Sequence, residues 1–173
     1  MELKKYIRDI PDFPKKGILF HDVTTLFKNY KAYNYVLEKF KEKYQEMKID
    51  YVAGIDARGF IIGGTIASIL KCGFIPIRKP GKLPAEVLSE EYQLEYGTDT
   101  VEIHSDALQK GDRIIVVDDL VATGGTLLAG VKLVERLGGV VVGVGTIIDM
   151  PDLGGREKLK DYDFFKLVEY SGK

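Results

Sequence analysis

The sequence carries one cysteine in 173 residues, a formal net charge of −1, and no apolar run long enough to span a membrane. Each shortage excludes something. Cys72 alone cannot close an internal disulfide, and its apolar surroundings suit a small hydrophobe better than a reactive thiol, as in a chain that works in the reducing cytoplasm. With 26 acidic residues against 25 basic ones, no long-range field draws the protein to nucleic acid or an anionic membrane, so any anion site must be local. The opening MELKKYIRDI intersperses charges among its apolar residues, so neither a signal peptide nor a membrane anchor is expected. Repeats, linkers and low-complexity stretches are also missing, and the length suits a single domain, 1–173, around one core. Two nucleotide signatures are lacking as well: the P-loop pattern ending in glycine, lysine and serine or threonine, and the dinucleotide pattern of three spaced glycines.

What is present reads as alternating strands and helices. Leucine and isoleucine at helical spacing predict a short amphipathic helix over Leu3 to Ile10, and the prolines and glycine of PDFPKKGILFHDVTTLFKNY predict an irregular but apolar stretch after it. From Tyr33 to Met47, Val36, Leu37, Phe40 and Tyr44 recur at three and four, which predicts a helix with one buried face. YVAGIDARGF reads as a strand ending at Asp56 before a helix, and GFIPIRKP as a second strand. Lys79 to Ser89 has no periodicity and is expected to be a mobile loop. EYQLEYG and TVEIH alternate strictly and predict an antiparallel hairpin with Tyr92, Leu94 and Tyr96 on one face. RIIVVDD, a helix over Thr126 to Leu137, and VVVGVGTII complete a strand–helix–strand crossover. The expected fold class is α/β: an open, mostly parallel sheet flanked by helices, with its site at the carboxyl ends of the strands.

IIVVDDLVATGGT, Ile114 to Thr126, sets two like charges at the end of an apolar strand and follows them with small residues. Ala122, Thr123, Gly124, Gly125 and Thr126 lead into a helix N-terminus, where backbone amides, the helix dipole and two hydroxyls suit a phosphate monoester. Carboxylates beside such a nest would repel phosphate unless they receive another part of the ligand. Vicinal ribose hydroxyls are the acceptor-seeking partner, so Asp118 and Asp119 point to a ribose 5-phosphate. Taken alone, the pair also fits a metal site of the phosphate-receiver kind or a simple helix cap.

VVDDLVATGGT resembles the phosphoribosyl-pyrophosphate motif of the type I phosphoribosyltransferases. PDFPKKGILFHDVT, GIDARGF, IRKPGKLP, YQLEYG and GGREKL extend the resemblance over nearly the whole chain to the adenine-specific branch of that family. The resemblance implies transfer of ribose 5-phosphate from phosphoribosyl pyrophosphate to adenine, giving AMP and pyrophosphate in purine salvage. It also implies magnesium held mainly through the substrate, a homodimer, a small hood from about residues 1–30 and the C-terminal segment, and a flexible loop over about 79–95. It places ribose binding on Asp118 and Asp119, phosphate binding on Ala122 to Thr126, and pyrophosphate binding on Asp56, Ala57, Arg58 and Gly59, with Arg78, Lys79, Lys82 and Tyr96 as further contacts. Glu95 matches the catalytic carboxylate set against the base. Phe20 matches the aromatic under adenine, Leu19 and His21 flank it, and Met150 lies on the base's other side; some relatives carry arginine where His21 stands. Two alternatives remain: a 6-oxopurine as acceptor, or a non-catalytic phosphoribosyl-pyrophosphate sensor, which would need a DNA-binding module for which the chain has neither spare length nor a basic patch.

Overall fold

The computed structural model describes residues 1–94 and 97–171. Its centre is a five-stranded sheet of β3 (Tyr51–Ile55), β4 (Gly73–Ile77), β7 (Arg113–Val121), β8 (Val140–Asp149) and β9 (Phe164–Glu169), in the order β4-β3-β7-β8-β9. All four pairings are parallel. Helices α2 (Tyr30–Tyr44), α3 (Arg58–Leu70) and α4 (Gly125–Arg136) cover its faces. Because side chains alternate along β7, Ile115 and Val117 join the core under α2 and α3, whereas Ile114 and Val116 join the core under α4. This is the α/β architecture expected from apolar runs such as Ile114–Val117, which is buried on both faces of the sheet.

Local chemistry sets where the elements begin and end. Helix α2 starts three residues earlier than its apolar spacing suggests, because the Asn29 side chain accepts a hydrogen bond from Ala32 N at 3.1 Å and caps it. The helix expected over Leu3 to Ile10 is instead a single 3-10 turn, Leu3–Tyr6, followed by β1 (Arg8–Pro11), which pairs antiparallel with β2 (Leu19–Asp22). Proline at position 11 pushes Ile10 toward extended backbone, and the hairpin gives the segment its hydrogen bonds. A short helix, α1 (Thr24–Lys28), follows. Strand β5 (Val87–Gln93) pairs antiparallel with β6 (Thr98–His104), so the irregular loop is shorter than expected: Val87 to Ser89 already belong to the ladder. Tyr92 is buried but Leu94 is exposed, because the alternation ends with the strand at Gln93. Glu95 and Tyr96 lie outside the described residues. Strand β9 gave no clear signal in the sequence; it pairs along β8 from Val144↔Phe164 to Asp149↔Glu169. No helix among the described residues is long and apolar enough to cross a membrane.

Close packing of α2 on the sheet depends on missing side chains. A Cβ on Gly145 of β8 would stand 2.6 Å from the Phe40 ring, which is fully buried. Gly145→Ala should therefore force α2 outward and cost about 1–3 kcal/mol, read as a melting temperature lower by about 2–4 °C for each kcal/mol. An unchanged melting temperature would show that the interface yields without strain.

Candidate active site

Strand β7 does not stop at its two aspartates. It runs on to Val121, because β8 continues beside it to Asp149 and supplies backbone partners. Asp118 and Asp119 thus sit on rigid strand at the carboxyl edge of the sheet, where parallel α/β folds gather ligands. Asp119 is 2% exposed. The Asp118 carboxylate accepts a hydrogen bond from the Asp119 backbone N–H at 2.8 Å. Burial, then the neighbouring Asp119 charge, pushes the Asp118 pKa well above the ordinary carboxylate range.

Among the described residues, one cation is paired with these carboxylates. Arg58, the first residue of α3, donates from Nε to the Asp119 carboxylate. Burial works against the Arg58 charge, but Asp119, followed by Asp118 and Asp22, outweighs it and raises the pKa. The Arg58 guanidinium also lies 5.6 Å from the Phe20 ring centroid. Arg58, Asp118, Asp119, Ala122, Thr123, Gly124 and Thr126 line one cleft. Gly124 takes the left-handed conformation, φ +74°, as N-cap of α4, and no side chain among the described residues caps that helix. Its first amides are therefore left for a ligand, and the aspartates do not serve as its cap. Gly125 faces the other way: a Cβ there would meet Tyr92 at 2.9 Å and Gln93 O at 3.0 Å. Among the described residues no group of three or more His, Cys, Asp or Glu side chains could hold a metal, unlike the acidic cluster a receiver-type site requires.

The cations after β4 are held elsewhere. Arg78 donates from Nε to Asp56 at 2.9 Å and from Nη1 to Lys82 O at 3.2 Å. Lys79 is paired with Asp99 and donates to Tyr92 OH at 2.9 Å. Burial opposes the Lys79 charge, but these two partners win and raise its pKa. Lys82 is exposed. The Asp56–Ala57 peptide is cis, and Ala57 is exposed directly before Arg58. Around the expected base position, Phe20 is half-buried and meets Phe13 edge-on at 5.2 Å. Leu19 is exposed. His21 is buried, pairs through Nδ1 with Asp9 at 2.7 Å, and stacks on Tyr170 at 3.7 Å, so its ring braces the first hairpin. Met150 N donates to Val121 O at 3.0 Å, which ties the residue to the end of β7.

Three residues with no role assigned from the sequence also meet this site. Gly155 N donates to Ala122 O at 3.0 Å, and Asp149 and Arg156 form an ion pair behind it at 3.7 Å. The available signal was the pair of glycines before a basic residue in GGREKL, where a backbone must approach closely.

The chain matches the family model described as a phosphoribosyl transferase domain over residues 22–172. It is 59% identical over 169 residues to an adenine phosphoribosyltransferase of Halothermothrix orenii, covering 98% of this chain and 99% of that one. The crystal structure of adenine phosphoribosyltransferase from Thermoanaerobacter pseudethanolicus superposes with a TM-score of 0.94 at 51% identity, covering 98% of each chain. The Saccharomyces cerevisiae enzyme, crystallised with adenine and an imino-altritol bisphosphate, gives 0.91 at 38% identity, covering 96% of this chain and 97% of that one.

A carboxylate whose pKa is raised on folding binds its proton more tightly in the folded state, so stability falls as pH rises above the unfolded value, about 3.9. Asp118→Asn should therefore raise the melting temperature of the ligand-free protein at pH 7, with the gain shrinking as pH falls toward about 4. A lower melting temperature at pH 7 would mean that the Asp118 charge supports the fold.

Proposed function

The chain belongs to the adenine phosphoribosyltransferase family, and on that premise we propose that it transfers ribose 5-phosphate from phosphoribosyl pyrophosphate to adenine, releasing AMP and pyrophosphate. The observation that carries the reading is the single cleft in which a carboxylate pair on rigid strand opens onto the uncapped amides of α4. Asp118 and Asp119 receive the ribose hydroxyls, and Ala122 to Thr126 receive the 5-phosphate. Arg58 gives up Asp119 when the ribose arrives and turns to the pyrophosphate, whose negative charge grows as the glycosidic bond breaks.

Arg78 and Lys79, once they leave Asp56 and Asp99, complete the pyrophosphate set with the exposed Lys82, and Ala57 and Tyr96 belong to the same group. The loop that carries Lys79 and Lys82 then closes with the hood against water, which would otherwise intercept the oxocarbenium-like ribose. Phe20 stacks under adenine with Met150 on its far face, while the main chain at Leu19 and His21 reads its edge. Glu95 manages the proton on the adenine ring as the ring nitrogen attacks.

Two adjacent carboxylates with no third acid or histidine beside them, among the described residues, fit a magnesium ion held mainly through substrate oxygens. When bound, magnesium supplies charge neutralisation to the leaving pyrophosphate. We assign the protein to purine salvage as one domain in the cytoplasm, the setting that its single cysteine suits. We also assign it a homodimer, to which the exposed Tyr30 and Ile61 would lend apolar surface.

Adenine offers an amino donor beside a ring acceptor, whereas hypoxanthine reverses both. A rigid main chain cannot swap donor for acceptor, so a reversed base leaves buried polar groups opposed. Pyrophosphate release measured with each purine should favour adenine over hypoxanthine, guanine and xanthine by about ten-thousandfold in kcat/KM. A 6-oxopurine that matched adenine would leave the transferase but remove the base assignment; no release with any purine would favour a sensor.

A further inference from the structure

Asp149, the last residue of β8, has no part in the reaction just described and is badly placed for stability. It is fully buried, and neither carboxylate oxygen has a hydrogen-bond partner among the described residues. Burial raises its pKa, against the pull of Arg156 and Lys166. The Arg156 Nε lies at 3.7 Å and the Lys166 Nζ at 3.9 Å. Lys166 is already paired with Glu169. Arg156 has its one ion pair among the described residues with Asp149. A buried charge with so few hydrogen bonds costs stability, and an apolar residue would serve the core better.

What Asp149 holds is the turn behind the phosphate loop. Gly155 precedes Arg156, and its N–H donates to Ala122 O at 3.0 Å. A Cβ on Gly155 would press on the Ala122 carbonyl and stand 2.7 Å from Gly124 N, and a Cβ on Gly124 would stand 2.6 Å from Gly155 O. Turn and loop therefore meet backbone on backbone. The segment is fixed at its start too, since Met150 N donates to Val121 O at 3.0 Å and Tyr170 N donates to Asp149 O at 2.9 Å. Between these points Asp152, Leu153 and Gly154 are exposed. Arg156, 51% exposed, is anchored at its inner end by the Asp149 carboxylate.

We infer that Asp149 is a positioning residue for phosphoribosyl pyrophosphate: through Arg156 its carboxylate holds the Gly154–Gly155 turn against Ala122 to Gly124, and so presets the phosphate loop. This rests on the function proposed above. Preorganising a loop lowers the cost of ordering it when the ligand binds, so the effect falls on one substrate. Arg156→Gln, at an exposed position where the fold is not at risk, should raise KM for phosphoribosyl pyrophosphate about tenfold, with kcat and KM for adenine within about twofold. Asp149→Asn should do the same while keeping or raising the melting temperature, because it removes a desolvated charge. The double variant should be no worse than either single one, since both remove the same link. Arg156→Lys should recover part of the loss.

An unchanged KM for phosphoribosyl pyrophosphate in Arg156→Gln would overturn the inference. So would a parallel rise in both KM values, or losses that add in the double variant. Failure of the underlying function is separable, because the wild type would then release no pyrophosphate with adenine at all.

Discussion

Two carboxylates fixed side by side at the carboxyl end of a buried strand repel each other, and most of the site follows from how that repulsion is met. Asp118 and Asp119 cannot separate, since β7 is paired through them to Val121. Burial and mutual repulsion hold the Asp118 pKa high, while Arg58 takes Asp119. The arrangement is expensive in a free protein and makes sense only if a ligand supplies donors. On the proposed function ribose hydroxyls would do so without adding charge to the pair, and the amides of α4 lie next to it. Local strain of this kind, maintained by a well-packed scaffold, is characteristic of a binding site.

The same principle extends to the cations. Arg58 on Asp119, Arg78 on Asp56 and Lys79 on Asp99 are each neutralised by an acid. On the proposed function, a site that receives a heavily charged pyrophosphate would otherwise carry uncompensated positive charge between turnovers. The Arg78–Asp56 and Lys79–Asp99 pairs are also exchangeable, because their side chains are partly exposed and such pairs contribute little to stability; in the third pair Asp119 is buried and only Arg58 is partly exposed. The phosphate loop differs: it is held from behind by Gly155 and by the Asp149–Arg156 pair, and there the geometry is backbone on backbone.

Much of this was legible in the residues. The apolar runs Ile114–Val117 and Val140–Ile148 marked parallel strands, and the step from Asp119 to Gly124 marked the ligand edge, because both signals are local in sequence. The first hairpin was not, since Leu3, Ile7 and Ile10 fit a helical period while Pro11 and long-range pairing with β2 decide for strand. Strand β9 was missed for the same reason: FFKLVE is only partly buried and gains its definition from β8. The role of Lys79 is not readable from sequence in either direction, because its partners Tyr92 and Asp99 lie on the two strands of the hairpin. Asp149 gave no signal because one buried aspartate at a strand end means nothing until its missing hydrogen bonds are seen.

The central claim is that the aspartate pair exists to receive a ribose 5-phosphate, and calorimetric titration tests it most directly. Phosphoribosyl pyrophosphate with magnesium would be titrated, without adenine, into the wild type and into the folded Asp118→Asn, Asp119→Asn double variant. Loss of charge-assisted hydrogen bonds to the two hydroxyls should weaken binding by several kcal/mol, on the order of a hundredfold or more. Equal affinity in the two proteins would contradict the account.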